Sequence, residues 1–503
     1  MKTSNMGGVI SNYGSKIWGL ASVFIFIPLY VKILGIENYA VIGFYTLLLG
    51  IISFADAGMS SAIIKEFALD MTVSYKYSVL RKIENLYIFI SILITVIIFL
   101  FSNSIAVKWL TSNEISANDL SYYISLIGCG VTIQLLSSLY FGALFGLDKQ
   151  IKANSFQILW NLAKAGVVVL VLIYFKPTLE TYFIWQIICN LTYVLILRFN
   201  VIKILKSNNH KLEDYLDKIP PQILKYIGGM TIIAIISSIN SQADKIITSS
   251  FFSLKIFGYY NMASVISQVP VILASPLVLF IFPIFTKFSE DIYISKLVQS
   301  FKKISFLINI IIFPATFVLM FYTPEIMKLW TGNTIDLIFL PKILLVIKFL
   351  ALGSLFLAMQ FPLFYLLLAK GKTKYTIIQG IFQIVLGLPL LYSSAKYFDI
   401  QNIGLPWILI NLGSLIYLTI IVFKKYIKIN YFPYLKEFII IPLAISILVT
   451  VTFYFLYLKV NFMFYLFAML SGLLSIIVNI FYSNIRTSRN LFDINNIFNF
   501  LDE

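Results

Sequence analysis

Leu86-Tyr87-Ile88-Phe89-Ile90-Ser91-Ile92-Leu93-Ile94-Thr95-Val96-Ile97-Ile98-Phe99-Leu100-Phe101-Ser102-Asn103-Ser104-Ile105 contains no acidic or basic residue. As a helix rising ~1.5 Å per residue it covers ~30 Å, the depth of a bilayer's hydrocarbon core, and it satisfies its own backbone there. The pattern recurs. Further spans are expected near residues 8–33, 39–64, 122–145, 153–175 and 182–202, then 224–248, 256–285, 304–322 and 339–368. Four more follow near 375–392, 403–423, 438–458 and 462–481. The chain of 503 residues is 60% hydrophobic and 12% charged, with a mean hydropathy of +0.91. It reads as an all-α integral membrane protein of about fourteen transmembrane helices.

The lysines and arginines test this count. With the N-terminus inside, 26 of the 38 fall in cytoplasmic segments, eight fall outside, and the remaining four lie within spans. A wrong number of spans would scramble that asymmetry. Both termini are therefore expected in the cytoplasm. The net charge of +16 follows from the same topology, and no basic cluster on a soluble fold points to nucleic acid. The outer loops are all short.

Two echoes link the halves. Ile42-Gly43-Phe44-Tyr45 recurs as Phe257-Gly258-Tyr259-Tyr260, and Lys152 with Gln157 recurs as Lys374 with Gln379. Each pair lies six spans apart, an even number, so the halves share orientation and are expected to be related by a pseudo-two-fold axis along the membrane normal. The expected organisation is a six-helix lobe over 1–205, a cytoplasmic linker over 206–222 carrying Pro220-Pro221, and a second six-helix lobe over 223–425. Two additional helices over 426–482 and a cytoplasmic tail over 483–503 complete it.

The chemistry available is narrow. His210 is the only histidine, and Cys129 and Cys189 fall far apart in apolar spans, so no metal site or catalytic constellation is expected. Gly371-Lys372-Thr373 resembles the end of a phosphate-binding loop, but Leu366 stands where that motif needs its first glycine. No cofactor is expected, and transport energy is expected from a proton or sodium gradient or from the substrate gradient.

Charges inside spans carry more information, because a cation at mid-bilayer costs several kcal/mol and normally faces water or a partner. Lys16, Lys164, Lys245 and Lys348 each interrupt an apolar stretch, two in each expected lobe. They are candidate contacts for an anionic cargo in a basic cavity. Lys16 and Asp56 lie at similar depth on adjacent antiparallel helices and are expected to pair, with Asn12 one turn from Lys16 widening the polar stripe. Asp56 and Asp244 are candidates for carrying a coupling ion or for neutralising a neighbouring lysine; Asp244 directly precedes Lys245. Prolines 28, 276, 283, 314, 362 and 389 fall inside spans and mark expected bends.

In order and placement, Pro28-Leu29-Tyr30 with Leu34-Gly35, Phe54-Ala55-Asp56-Ala57-Gly58-Met59-Ser60 with Lys65-Glu66, and Gln242-Ala243-Asp244-Lys245 resemble the Wzx-type polysaccharide flippases. Gly258-Tyr259-Tyr260, Phe282-Pro283 and Ala369-Lys370-Gly371-Lys372 extend the resemblance over nearly the whole chain. That family belongs to the multidrug/oligosaccharidyl-lipid/polysaccharide (MOP) exporter superfamily. The resemblance implies two lobes around a central cavity, and translocation of an undecaprenyl-diphosphate-linked oligosaccharide for O-antigen or capsule synthesis. The lysines would then hold the diphosphate, and partners would include membrane lipids, a polysaccharide polymerase and a chain-length regulator. Alternatives within the superfamily are a lipid II flippase, whose cavity is usually arginine-rich, and a twelve-span multidrug exporter. A membrane polysaccharide polymerase or ligase, an enzyme, would need the long outer loop that this topology denies.

Overall fold

The computed structural model describes residues 2–56, 58–206, 219–290, 293–332, 335–427, 429–460 and 463–486. Most of the expected linker and of the C-terminal tail lies outside them, as do His210 and the side chains of Asn12 and Lys16. By packing, the chain divides into two compact units, Met1–Asn261 and Met262–Glu503.

The first unit opens with α1 (Lys2–Leu34) and α2 (Ile36–Asp56), then the short α3 (Met59–Ala68) and the long α4 (Val73–Ser104). α5 (Ala117–Gly146) follows. The next crossing has three parts: α6 (Gln150–Asn161), a π-helical turn at Leu162–Val167, and α7 (Val168–Tyr174). α8 (Leu179–Lys206), α9 (Pro221–Phe251) and the start of α10 (Leu254–Ser267) complete the unit. α4 shows why this is a membrane protein: Phe89, Phe99 and Leu100 are 65–69% exposed on its outer face, which only lipid tolerates over such a length.

The second unit holds α11 (Val269–Lys287), α12 (Ile294–Phe321), α13 (Thr323–Thr331), α14 (Leu340–Met359) and α15 (Phe361–Ala369). It continues through α16 (Thr373–Tyr397), α17 (Leu405–Ile421), α18 (Tyr431–Leu435), α19 (Ile441–Val460) and α20 (Phe464–Arg486). Twelve helical stretches among the described residues are long and apolar enough to cross a membrane. α1 and α9, with 33 and 31 residues, are long enough to supply the other two of the about fourteen expected.

Three expected spans are broken. The second, 39–64, stops at Asp56, and Gly58 takes φ +74° before α3 begins. A left-handed residue here favours glycine, and a Cβ on Gly58 would also lie 2.2 Å from the Met230 Cβ of α9. The eighth, 256–285, breaks at Gln268 because Pro270 has no amide hydrogen for a continuous helix and sits in the first turn of α11 instead. Pro362 does the same at the start of α15, breaking the tenth span at Gln360.

Small residues set the tightest helix contacts. On α5, a Cβ on Gly142 would meet the Ser60 carbonyl oxygen at 2.9 Å, and one on Gly146 would meet the Ile64 carbonyl oxygen at 2.8 Å. Gly142-Ala143-Leu144-Phe145-Gly146 is thus a GxxxG face laid against the backbone of α3. Both echoed glycines sit at close contacts between α2 and α10: Asn261 fills the space beside Gly43, and the Ile36 carbonyl oxygen lies 2.8 Å from where a Cβ of Gly258 would stand. In the second unit the amides Gln379, Gln360 and Asn411 form a buried chain: Gln379 Nε2 donates to Gln360 Oε1 (2.7 Å), and Gln360 Nε2 donates to the Asn411 carbonyl (3.1 Å).

Candidate functional site

Lys164 sits in the π-helical turn between α6 and α7. Its ammonium donates to Gln134 Oε1 of α5 at 2.8 Å and lies over two rings, 4.8 Å from the centroid of Trp160 and 5.1 Å from that of Tyr45. No carboxylate pairs with it among the described residues. The surrounding groups are fixed in turn. Tyr45 donates to the same Gln134 oxygen (3.1 Å), Trp160 Nε1 donates to Asn190 Oδ1 (3.2 Å), and Asn190 Nδ2 donates to the Gly130 carbonyl (2.9 Å). Trp160 also stacks on Tyr193 with centroids 4.7 Å apart. The cation is held by a shared amide oxygen and π faces, all neutral.

Such a shell stabilises an ammonium without discharging it. A dianionic phosphate group approaching Lys164 would therefore gain a charge-assisted hydrogen bond without first breaking an ion pair.

Asp56, at the end of α2, is surrounded by hydroxyls. Ser60 donates Oγ–H to Oδ2 (2.7 Å) and Ser138 donates to Oδ1 (3.1 Å). Tyr87 donates to Oδ1 in a short contact, and the Ser60 amide reaches the same oxygen at 3.3 Å. The GxxxG face places this cluster, because Ser138, Gly142 and Gly146 repeat every four residues along α5 and hold α3, with Ser60, against it. The expected Lys16 partner and Asn12 lie outside the residues whose side chains are described, so the pair stays an expectation.

Asp244, on α9, accepts from the Tyr260 hydroxyl at 2.7 Å. No ion pair joins it to Lys245 among the described residues, as helix geometry requires: adjacent positions point ~100° apart. Lys245 is half-buried on α9 and Lys348 is half-buried on α14; among the described residues neither makes a hydrogen bond or ion pair. Of the seven candidates, Lys164 and Asp56 have the most developed surroundings, and α5 serves both.

One cluster had not been singled out from the sequence. Glu84 of α4 is 3% exposed and accepts from Arg198 Nε (2.7 Å), Arg81 Nη1 (3.2 Å) and the Tyr140 hydroxyl (2.6 Å). It ties α4, α5 and α8 together. The i,i+3 spacing of Arg81 and Glu84 was a visible signal, but Arg198 lies 114 residues from Glu84.

A family model described as "Polysaccharide biosynthesis protein" matches residues 30–336. A putative O-antigen transporter of Shigella flexneri is 21% identical over 380 residues, covering 74% of this chain and 87% of the relative. Among solved structures, the lipid II flippase MurJ in an inward closed conformation superposes with a TM-score of 0.72 at 16% identity, covering 96% of this chain and 99% of that one. A multidrug resistance MATE family transporter of the MOP superfamily, inward-facing, gives 0.64 at 17% identity, covering 81% and 92%. The resemblance drawn from the motifs holds in both respects: the architecture is that of these exporters, and the chain belongs to the polysaccharide biosynthesis protein family.

Proposed function

We propose that the protein is a flippase that moves an undecaprenyl-diphosphate-linked oligosaccharide repeat unit from the cytoplasmic to the outer leaflet of the inner membrane. The observation that carries this reading is Lys164, a cation midway along a membrane crossing whose partners are all neutral. That arrangement suits a diphosphate. Lys16, Lys245 and Lys348 are proposed to add contacts at other depths, while the sugar crosses and the lipid tail stays in the bilayer. The family match and the name of the Shigella flexneri relative support a glycan cargo. The long helices α1 and α9, beyond the twelve candidate crossings, favour it over a twelve-span multidrug exporter.

The two expected six-helix lobes, 1–205 and 223–425, would alternate access, with both termini in the cytoplasm as the charge asymmetry indicates. Asp56 and Asp244 are the proposed carriers of a coupling proton or sodium ion. The protein would act as a transporter and not as an enzyme, beside a polymerase and a chain-length regulator.

Deletion followed by lipid analysis tests the reading. A flippase-null strain accumulates single lipid-linked repeat units on the cytoplasmic face. Unpolymerised units already on the outer face would instead identify a polymerase, and an unaltered lipid pool with increased drug sensitivity would identify a multidrug exporter.

A further inference from the structure

Three consecutive carbonyls in the turn that carries Lys164 accept hydrogen bonds from side chains of other helices. Trp185 Nε1 of α8 donates to the Ala163 carbonyl at 3.0 Å, and Gln186 Nε2, next in α8, donates to the Lys164 carbonyl at 3.0 Å. Tyr30 of α1 donates its hydroxyl to the Ala165 carbonyl at 2.6 Å. These residues span the wide turn at Leu162–Val167. A π turn inserts one residue into the helix and weakens its internal hydrogen bonding. Within a bilayer no water replaces what is lost, so the backbone keeps that shape only where side chains satisfy it.

Gln186 shows how specific this support is. It is buried, and its Oε1 finds no partner among the described residues, so its single amide donation to Lys164 is what fixes its orientation. The same device recurs in the second unit, where Asn309 Nδ2 of α12 donates to the Phe438 carbonyl (2.7 Å) inside the π turn at Lys436–Ile440. At Lys164 three donors replace one, and Phe26 closes the turn from α1, 3.1 Å from where a Cβ of Gly166 would stand.

We propose that Tyr30, Trp185 and Gln186 are positioning residues that hold the π turn open and thereby aim the Lys164 ammonium at its place beside Gln134, Tyr45 and Trp160. The role of the aimed ammonium rests on the reading of Lys164 as a diphosphate contact. The aiming itself is a statement about geometry and is tested separately.

The test uses the full-length protein in lipid nanodiscs with reductively ¹³C-methylated lysines, the Lys164 resonance being identified by its loss in Lys164→Arg. Tyr30→Phe, Trp185→Phe and Gln186→Leu each remove one donor while keeping most of the side-chain bulk. Binding is read with undecaprenyl diphosphate, with undecaprenol as the phosphate-free control. In the triple variant the Lys164 resonance is expected to leave its ring-shifted position, and undecaprenyl diphosphate affinity to fall about tenfold, as loss of the one charge-assisted hydrogen bond from the misaimed ammonium implies. Undecaprenol binding is expected to hold.

An unmoved Lys164 resonance in the triple variant overturns the positioning role, whatever the binding does. If the triple variant fails to fold, Gln186→Leu alone decides, a moved resonance supporting the role and an unmoved one overturning it. Deleting Ala163, which converts the π turn to α and rotates Lys164 by ~100° against Trp160, is expected to move the resonance likewise. Failure of the underlying reading is distinct: Lys164→Ala would then bind undecaprenyl diphosphate as tightly as the parent protein.

Discussion

Gln134 and Ser138 stand one turn apart on α5, and each serves a different charge: Gln134 accepts from Lys164, and Ser138 donates to Asp56. The two candidate sites of the first unit are thus joined through one helix. α5 cannot turn or slide without disturbing both, and its GxxxG face also fixes it to α3.

Lys164 is expected to matter for transport and little for folding. In Lys164→Ala, Gln134 keeps the Tyr45 hydroxyl as a donor, and the cost of holding a cation within the bilayer disappears. Surface glycan in a complemented deletion strain should fall at least ~10-fold, equivalent to ~1.4 kcal/mol of lost stabilisation of the bound cargo. Thermal unfolding in detergent should be unchanged or slightly improved. A variant that unfolds early but exports normally would reverse this assignment.

For Asp56 the balance differs, because several donors converge on one carboxylate. Asp56→Ala removes the acceptor for Ser60, Ser138 and Tyr87 together; Tyr87 and Ser138 keep each other at 3.2 Å, and Ser138 keeps the Leu135 carbonyl at 2.8 Å. A loss of about 2–4 kcal/mol is expected in denaturant unfolding. Asp56→Asn retains an acceptor oxygen and should recover about half of that loss.

Glycine contacts provide a graded series. Gly146→Ala drives a methyl group against the Ile64 carbonyl and the Phe67 Cβ, which lies 2.6 Å from the new atom. Overpacking against backbone costs about 1–3 kcal/mol. Gly228→Ala meets nothing within 4 Å on α9 and should be neutral or stabilising by up to ~1 kcal/mol through helix propensity. Melting temperatures of the two variants should move in opposite directions or at least separate clearly.

Between the crossings 373–397 and 400–427, Asp399 forms an ion pair with Lys342 and caps the turn at Ile400. The hydrogen bond from Lys342 holds its carboxyl below the usual carboxylate range. A lowered folded pKa stabilises the protein above the unfolded value of ~3.9, and that contribution disappears as pH falls through the folded value. Lys342→Met should therefore cost ~0.5 kcal/mol or less near pH 7, since both groups are partly exposed. The difference between variant and parent should shrink as pH falls below the unfolded carboxylate value of ~3.9 and be lost once it passes the lowered folded one, as read by unfolding at each pH.

The sequence carried the crossings well, because twenty apolar residues in a row have few other uses and the lysines crowd into alternate connections between them. It carried the breaks poorly. Pro270 and Gly58 end helices inside runs that look continuous to hydropathy, and Gln268 gives no sign of its position. Lys164 was legible as an intramembrane cation, whereas its shell was not: Gln134, Tyr45, Trp160 and Asn190 come from different helices, and ring faces leave no motif. The pairing of Asp244 with Tyr260 in place of Lys245 follows from helix geometry, which neighbouring letters conceal. The GxxxG at 142–146 was plainly written, yet its task of setting Ser60 and Ser138 around Asp56 appears only once α3 lies against it.

The neutral surroundings of Lys164 bear on how an empty carrier resets. A cation neutralised by a carboxylate would cross with no net charge, indifferent to voltage. No carboxylate offsets Lys164 among the described residues, so under the proposed cycle the unloaded protein is electrogenic. A membrane potential negative inside exerts ~2.3 kcal/mol per charge per 100 mV over the full depth of the bilayer. In the proposed cycle that force draws the vacant site toward the cytoplasmic side, where the cargo would load, and so gives turnover a direction even with no ion travelling with the glycan.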